Sequence, residues 1–366
     1  MISLHGNFQQ STPTSQRKHI RFILSRGAGK GLANELISEI IRCYPHATHT
    51  SVGASRKEAG IVTISLTRGP DDVATLAREW DKWWGSHGVV YIAGGDGSVN
   101  EVGNALAGKE CAFGVLPMGT GNDFARMIYG GKTSKKFALT LVKQTLAAQF
   151  QPIDALKVND LYCVNVFSLG YDTEVLQKAI EAKNRHPKLG SLSYVAGVAQ
   201  TALQEKNIPL HITYSLGEPQ KSLPGPLKTI EALTRGEREM SVTIAQECIV
   251  MLVGNGQYYG SGYHPLPHAR INDAQANLLY VDALNLAQFG KLLGSYRKGS
   301  HLKNHRVHTA AISELAVQRT DGEKLLWNID GIVHESAEVR VNIVPQALTL
   351  AILEASDTSI LSTTHR

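Results

Sequence analysis

Two glycine-rich loops carry the residues of this sequence that are best suited to chemistry: Gly94-Gly95-Asp96-Gly97 and Gly119-Thr120-Gly121-Asn122. Each loop follows an apolar run and precedes a segment typical of a helix. Glycines let a ligand approach the backbone closely, and the start of a helix presents free N–H groups to an anion. Two such units in succession would place these groups side by side, an arrangement that suits a polyphosphate.

Asp96 is the acidic residue of the first loop. It directly follows an apolar strand, so it is placed either to bind Mg²⁺ or to accept a proton, and an acid that only caps a turn fits the position equally well. Ser98 and Glu101 match the S-x-x-E capping box, which predicts a helix over residues 98–107.

Neither of the two common nucleotide fingerprints fits the sequence. The G-x-x-x-x-G-K-[ST] pattern fails around Lys30 because Leu24 replaces its first glycine and Gly31 its last residue. The G-x-G-x-x-G pattern fails at both loops because Asn100 and Phe124 stand where the third glycine belongs.

The elements that must position these loops alternate between strand and helix patterns. Alternation of this kind predicts an α/β domain with a parallel sheet covered on both faces, in which ligands bind at the carboxyl ends of the strands. The predicted strands are 19–24, 61–66, 88–93 and 112–116, with helical spacing of apolar residues at 36–41, 73–83 and 98–107 and after the second loop.

Strand patterns dominate after residue 150 and predict a β-rich, sandwich-like second domain. The predicted strands are 152–158, 161–167, 210–216, 241–253, 278–283, 310–317, 325–333, 339–344 and 348–353, with helices at 173–183, 192–204 and 286–296. The predicted divisions are a disordered leader (1–18), an α/β domain (19–150), a β-rich domain (151–354) and a flexible tail (355–366), with an exposed loop or hairpin at 217–239.

Composition limits the class of protein. The chain has 366 residues, of which 43% are hydrophobic and 19% charged, values typical of two globular domains. Its net charge of +5 permits an anionic partner without selecting one. The four cysteines are far apart, which indicates buried thiols in a reducing compartment. Because no apolar leader or membrane-length run occurs, we expect a cytoplasmic protein without a transmembrane segment.

The segments GGDGSVNEV and PMGTGNDFAR together resemble the diacylglycerol kinase catalytic-domain family, which includes sphingosine and ceramide kinases and many bacterial lipid kinases. The resemblance extends along most of the chain. Ser25-Arg26 stand in a matching loop at the positions where the family usually has Asn-Pro. The further matches are Thr67, the segments 165–171, 253–256 and 259–262, and Asn328-Ile329-Asp330-Gly331.

The resemblance implies that ATP binds between the two domains and that Asp330 or Asp96 receives the proton of a lipid hydroxyl. It implies Mg²⁺ with the ATP beside Asp96. The residues it implies for ATP binding are Ser25, Thr67, Gly94, Gly95, Asp96, Gly97, Glu101, Gly119, Thr120, Gly121 and Asn122.

Two departures from the family pattern bear on activity. Ile332 stands where the family usually has Glu after Asp-Gly, so a regulator that binds nucleotide and has lost catalysis is an alternative. In the segment that holds a structural metal in some bacterial members, only Asp273 remains as a credible Mg²⁺ ligand.

The expected function is transfer of the γ-phosphoryl group of ATP to a lipid, with diacylglycerol as the default acceptor and a sphingoid base or glycolipid as alternatives. Basic residues between 291 and 308 would rest on anionic headgroups at the inner membrane surface, or would form only a solvated face. Sparse aromatic residues there argue against nucleic acid.

Trp80, Trp83 and Trp84 are expected to pack on the sheet or to form a contact in a homodimer.

Overall fold

The computed structural model of the chain describes residues 17–25, 33–185, 207–217, 233–235, 240–297 and 299–353. Nearly all of the predicted leader, the predicted helix 192–204, most of the segment 217–239 and the predicted tail lie outside these residues. The strands are β1 (His19–Leu24), β2 (Thr48–Thr50), β3 (Val62–Leu66), β4 (Gly88–Gly94), β5 (Ala112–Pro117), β6 (Gln149–Val158), β7 (Leu161–Cys163), β8 (Val166–Gly170), β9 (Ile208–Leu216), β10 (Leu233–Arg235), β11 (Met240–Gly254), β12 (Ala276–Asp282), β13 (Val307–Arg319), β14 (Leu325–Ile329), β15 (Ile332–Ser336) and β16 (Glu338–Ile352). The helices are α1 (Ala33–Cys43), α2 (Asp72–Trp84), α3 (Asp96–Leu106), α4 (Asp123–Ile128), α5 (Lys135–Gln144), α6 (Tyr171–Arg185) and α7 (Leu286–Tyr296).

The first five strands form a parallel sheet in the order β2-β3-β1-β4-β5. Every residue of β4 and β5 is buried, as expected of strands covered on both faces. Because the strands run in one direction, the carboxyl ends of β1, β3, β4 and β5 lie at one edge of the sheet. The predicted α/β domain is confirmed.

Helix α3 begins earlier than the capping-box pattern predicts. Its first residue is Asp96 and its N-cap residue is Gly95, so Ser98 lies inside the helix and does not cap it. Gly95 has extended backbone torsions and no side chain, which lets the strand turn directly into the helix. The prediction of a Ser98–Glu101 capping box is therefore wrong, and the acidic residue of the loop occupies the first turn of α3.

The second half of the chain forms an antiparallel, sandwich-like domain, as predicted. The longest strand, β11, pairs with β9 along its first half and with β8 and β12 along its second half. Strand β9 also pairs with β13, so the sheet folds around a second hydrophobic core. Helices α6 and α7 cover a third apolar cluster on the outer side of this sheet.

Three strand predictions need correction. The predicted strand 161–167 is two strands, β7 and β8, which pair with different neighbours. The predicted strand 325–333 is a hairpin of β14 and β15, because Asp330 and Gly331 adopt left-handed torsions with φ of 48° and 94°. The predicted strands 339–344 and 348–353 are one strand, β16, with an irregularity at Gln346 (φ 53°).

Strands β6 and β16 belong to both halves of the molecule. Phe150 and Ile153 of β6 and Leu350 of β16 lie in the core of the parallel sheet, whereas Val158 and Val341 of the same two strands lie in the core of the second domain. Leu350 also pairs in parallel with Phe113 of β5. The chain therefore returns to its first domain at its C-terminal strand, and two continuous strands hold the domains together.

Candidate active site

The two glycine loops are in direct backbone contact. The N–H groups of Met118 and Gly119 donate to the carbonyl oxygen of Gly94, at 2.9 and 3.1 Å. A Cβ atom on Gly119 would lie 2.4 Å from the Cα of Gly95, and one on Gly94 would lie 2.5 Å from the Oγ of Ser98. Only glycine fits at these positions, so the loops approach each other because they lack side chains.

Asn122 closes the second loop. Its Oδ1 accepts a hydrogen bond from the Gly119 N–H and its Nδ2 donates to the Gly119 carbonyl oxygen, both at 2.9 Å. Asn122 adopts a left-handed conformation (φ 54°), which Asn tolerates better than most residues, and it immediately precedes α4. Thr120 is exposed at the tip of the loop.

The carboxylate of Asp96 faces the second loop. Its Oδ1 accepts a hydrogen bond from the Phe124 N–H in the first turn of α4, at 3.3 Å. A Cβ atom on Gly121 would lie 2.8 Å from the other oxygen, Oδ2. Burial raises the pKa of Asp96 to about 6, with a further contribution from the negative charge of Asp123 and a smaller one from Asp330. A carboxylate with this pKa can accept a proton near neutral pH.

Asp123 fastens the second domain onto the second loop, a role that the sequence reasoning missed. Its carboxylate accepts the N–H groups of Ser261 and Gly262 at 2.8 and 2.7 Å. Arg126 forms an ion pair with it, with Nε 3.8 Å from Oδ1. A Cβ atom on Gly262 would lie 3.3 Å from the guanidinium of Arg126, so the segment passes closely over this pair.

Asp330 lies at the boundary between the domains and is only 7% exposed. Its Oδ1 accepts the Val166 N–H at 3.0 Å and lies 3.5 Å from the Sγ of Cys163. Its Oδ2 accepts the Val164 N–H and the Nδ2 of Asn100, each at 3.1 Å. Burial raises the pKa of Asp330, and these donors oppose the increase. Both carboxylate oxygens are therefore occupied by protein donors.

The remaining residues predicted to bind ATP lie around the same edge of the sheet. The N–H of Ser25 donates to the Ala93 carbonyl oxygen, and that of Thr67 donates to the Leu24 carbonyl oxygen, each at 3.0 Å. Ser25 thus follows the end of β1 beside β4, and Thr67 follows the end of β3 beside β1. Gly97 is exposed in the first turn of α3, with no atom within 4 Å of a Cβ at that position.

Glu101 faces a different element from the glycine loops. Burial raises the pKa of its carboxylate, and hydrogen bonds from the backbone of Ala74 and Val73 in the first turn of α2 oppose this increase. An acid beside the start of a helix interacts favourably with the helix dipole. Glu101 therefore lies against the start of α2, and its Oε2 has no hydrogen-bond partner among the described residues.

Asp273, the predicted structural Mg²⁺ ligand, lies in the loop before β12, and its Oδ1 accepts the Gln275 N–H at 3.2 Å. The same loop is held by Asp154, whose carboxylate accepts the N–H groups of Ala274 and Gln346 at 2.7 and 2.8 Å. Across the described parts of the chain, no three acidic, His or Cys side chains are grouped to hold a metal ion. The donor set around Asp273 does not fit a Mg²⁺ site, since backbone N–H groups face both oxygens of Asp154 and one oxygen of Asp273.

The structure thus groups Asp96 with both glycine loops and places Asp330 near enough to influence the pKa of Asp96. Asn100 and Asp123 complete the group. Both residues stand inside the two motifs, GGDGSVNEV and PMGTGNDFAR. A polar residue near the start of each following helix was therefore the available signal. The contact of Asp123 with residues 261 and 262 had no local signal.

Comparison with known proteins agrees with this architecture. The diacylglycerol kinase catalytic domain model matches residues 19–158, and the model of the YegS C-terminal NAD kinase beta sandwich-like domain matches residues 165–352. The chain is 24% identical over 319 residues to a diacylglycerol kinase of Staphylococcus carnosus, covering 86% of this chain and 89% of that protein. It is 23% identical over 318 residues to a diacylglycerol kinase of Staphylococcus saprophyticus, with coverage of 86% and 89%.

A crystal structure of a diacylglycerol kinase from Bacillus anthracis has the same fold, with a TM-score of 0.61 at 15% identity over 93% of this chain and 98% of that one. No helix within the described residues is long and apolar enough to cross a membrane. Because the two family models together account for both domains, the chain belongs to the diacylglycerol kinase catalytic-domain family, whose matched relatives are lipid kinases.

Proposed function

We propose that this protein is an ATP-dependent lipid kinase that transfers the γ-phosphoryl group of ATP to a lipid hydroxyl, with diacylglycerol as the default acceptor. The observation that carries the proposal is the position of Asp96. This partly buried carboxylate, with its pKa near 6, lies against both glycine loops at the carboxyl edge of the parallel sheet. Phosphoryl transfer needs this combination of an anion cradle and one proton acceptor.

The glycine loops supply the cradle in this proposal. The backbone of residues 94–97 and 119–122, with Ser25 and Thr67 on the neighbouring strands, would hold the phosphates and ribose of ATP. Mg²⁺ bound with ATP would neutralise charge on the phosphate oxygens, and Asp96 is the carboxylate placed to hold it or to take the proton. Water would be excluded by the segment 259–262, which Asp123 fastens over the second loop.

Of the two acids proposed to receive the hydroxyl proton, Asp96 is the better suited. Asp330 has four donors on its two oxygens, so an incoming hydroxyl would have to displace one of them. Asp96 has its raised pKa and lies in a partly exposed position beside the loops. We assign proton acceptance to Asp96. We assign two supporting roles to Asp330: it orients the site, and its negative charge raises the pKa of Asp96.

The acceptor lipid would be reached at the inner surface of the cytoplasmic membrane. Of the basic residues between 291 and 308, Lys291, Arg297, Lys303 and His305 are exposed. His301 is buried and bonded to the Pro265 carbonyl oxygen, so it belongs to the core. Lys298 lies outside the described residues. The exposed Lys and Arg side chains beside α7 favour contact with anionic headgroups.

The test is a phosphorylation assay with radiolabelled ATP, Mg²⁺ and mixed vesicles that each contain one acceptor: diacylglycerol, a sphingoid base or a glycolipid. We expect labelled phosphatidic acid from the diacylglycerol vesicles and none with Asp96→Asn. Labelled product from another vesicle would change the proposed acceptor, and the proposed reaction class would stand. Absence of any labelled lipid, together with retained ATP binding, would overturn the kinase proposal in favour of a nucleotide-binding regulator, consistent with Ile332 at the usual Glu position.

A further inference from the structure

A polar network in the second domain leads from α6 to the turn that carries Asp330. The hydroxyl of Tyr259 donates to the Oδ2 of Asp172 at 2.8 Å. The Nδ2 of Asn328 donates to the hydroxyl oxygen of Tyr259 and to the Oγ of Ser168, both at 3.0 Å. The N–H of Gly331 then donates to the Oδ1 of Asn328 at 2.8 Å. Three hydrogen bonds thus connect Asp172 with the residue after Asp330.

The direction of each bond in this chain is set by its two ends. A carboxylate can only accept, so the Tyr259 hydroxyl donates to Asp172 and its oxygen is left to accept from Asn328. A backbone N–H can only donate, so Gly331 requires the amide oxygen of Asn328. Both ends therefore demand the same orientation of the Asn328 amide, with its nitrogen toward Tyr259 and its oxygen toward the turn.

The turn needs this support because its backbone is unfavourable. Asp330 has a φ of 48°, a conformation that costs a non-glycine residue free energy, and Gly331 follows with a φ of 94°. Asn328 is fully buried, so breaking its hydrogen bonds would leave buried polar groups unpaired, which costs free energy. The Gly331–Asn328 bond is the hydrogen bond that fastens this turn to the network.

We propose that Asp172 is a positioning residue that holds Asp330 in place through Tyr259 and Asn328. Its carboxylate accepts the hydroxyl proton of Tyr259, so the Tyr259 oxygen accepts the Nδ2 of Asn328. The amide oxygen of Asn328 then accepts the Gly331 N–H and holds the turn. When Asp172 is neutral and able to donate, the Tyr259 hydroxyl can instead donate to the Asn328 amide oxygen. The amide then turns over, presents its nitrogen to the Gly331 N–H, and the turn loses its hydrogen bond.

The expected effect on lipid phosphorylation rests on the proposed kinase function. The expected effect on hydrogen exchange in the turn is independent of that function. The variants are Asp172→Asn and Tyr259→Phe, each alone and combined. The matched control is Tyr258→Phe, the same chemical change on the neighbouring tyrosine, whose ring stacks on His264. Hydrogen exchange is followed by mass spectrometry on peptides that cover β14 and β15, and lipid phosphorylation is measured at varied ATP.

We expect both single variants to raise exchange in the turn by about tenfold, the effect of losing one hydrogen bond, while Tyr258→Phe matches the wild type. We expect kcat to fall about tenfold with the KM for ATP within about twofold, because the nucleotide loops are untouched. The double variant should lose no more than the worse single variant, since both break one chain.

Unchanged exchange in both single variants would overturn the positioning role, and so would additive losses of kcat in the double variant. If the wild-type protein phosphorylates none of the lipids tested, the kinase proposal fails. The exchange measurement then decides the role of Asp172 alone: faster exchange in both variants supports it and wild-type exchange refutes it.

Discussion

The Nδ2 of Asn100 donates to the Oδ2 of Asp330 at 3.1 Å, although 230 residues separate the two in the chain. Asn100 lies on α3, which begins at Asp96, whereas Asp330 begins the turn between β14 and β15 in the second domain. The bond therefore sets the distance between the first glycine loop and the late Asp-Gly motif.

Asp330→Asn should reduce both stability and turnover. The carboxylate accepts N–H groups at each oxygen, from Val166 at one and from Val164 and Asn100 at the other. An amide has one oxygen, so its NH₂ group must face donors on one side. We expect the free energy of unfolding to fall by about 1–3 kcal/mol, the cost of leaving a buried donor unpaired, measured by urea denaturation. Asp160→Asn, the same change at an exposed turn, is the control, and an equal effect of both would refute the buried role.

Asp96→Asn should stabilise the protein while it abolishes phosphorylation. An acid whose folded pKa is raised favours folding when protonated, so its contribution to stability is present below about pH 4 and is lost as the pH rises to about 6. Above that pH the ionised carboxylate costs up to about 3 kcal/mol, which the amide avoids. We expect the variant to have a higher Tm than the wild type at pH 8 and the same Tm near pH 4. A Tm difference that does not depend on pH would contradict the raised pKa.

Much of this site could be predicted because its signals are local. Glycines at residues 94, 95, 119 and 121 report a close backbone approach, and the apolar runs before them place the loops at one edge of the sheet. The start of α3 was mispredicted because the Ser98–Glu101 pattern agrees with a capping box, whereas the contact between the loops favours Gly95 as the N-cap.

The contacts between the domains could not be predicted from local patterns. The binding of Asp123 to residues 261 and 262 joins segments 138 residues apart. Strand β16 returns to pair with β5, which depends on the whole fold and not on the composition of either strand. The sequence pattern predicts a strand at the Asp330 turn because the apolar residues around it, Ile329, Ile332 and Val333, continue the strand pattern through the Asp-Gly step.

Gly119→Ala and Gly97→Ala should separate the shape of the loops from their contact with ATP. At residue 119 a Cβ would lie 2.4 Å from the Cα of Gly95, so we expect a lower Tm and loss of ATP binding together. At residue 97 a Cβ meets nothing within 4 Å, and alanine favours the helix by about 1 kcal/mol. A Tm at or above the wild-type value with at least tenfold weaker ATP binding, measured by calorimetry, would place the phosphates over Gly97. Unchanged ATP affinity in Gly97→Ala would remove that residue from the ATP site.

Ile332→Glu should be tolerated by the fold and should raise phosphorylation. Ile332 is 40% exposed at the start of β15, so a charged side chain there remains hydrated. The position directly follows Gly331, so the new carboxylate would stand where the family usually has Glu after Asp-Gly. We expect a Tm within about 2 °C of the wild type, as is usual for exposed positions. Ile332→Gln, which matches the shape without the charge, is the control; equal kcat for both variants would show that the missing carboxylate does not limit turnover.

Binding to anionic vesicles should depend on the exposed cations beside α7. Replacing Lys291, Arg297 and Lys303 by Gln removes three surface charges, each expected to contribute about 1 kcal/mol at a charged membrane. Sedimentation with phosphatidylserine vesicles should show at least tenfold weaker binding, and the wild type should lose affinity as salt is raised from 50 to about 500 mM. Replacement of Lys132, Lys135 and Lys136, on and just before α5, provides a control of equal charge. If both triple variants bind equally well, or if salt has no effect, the cations beside α7 form only a solvated face.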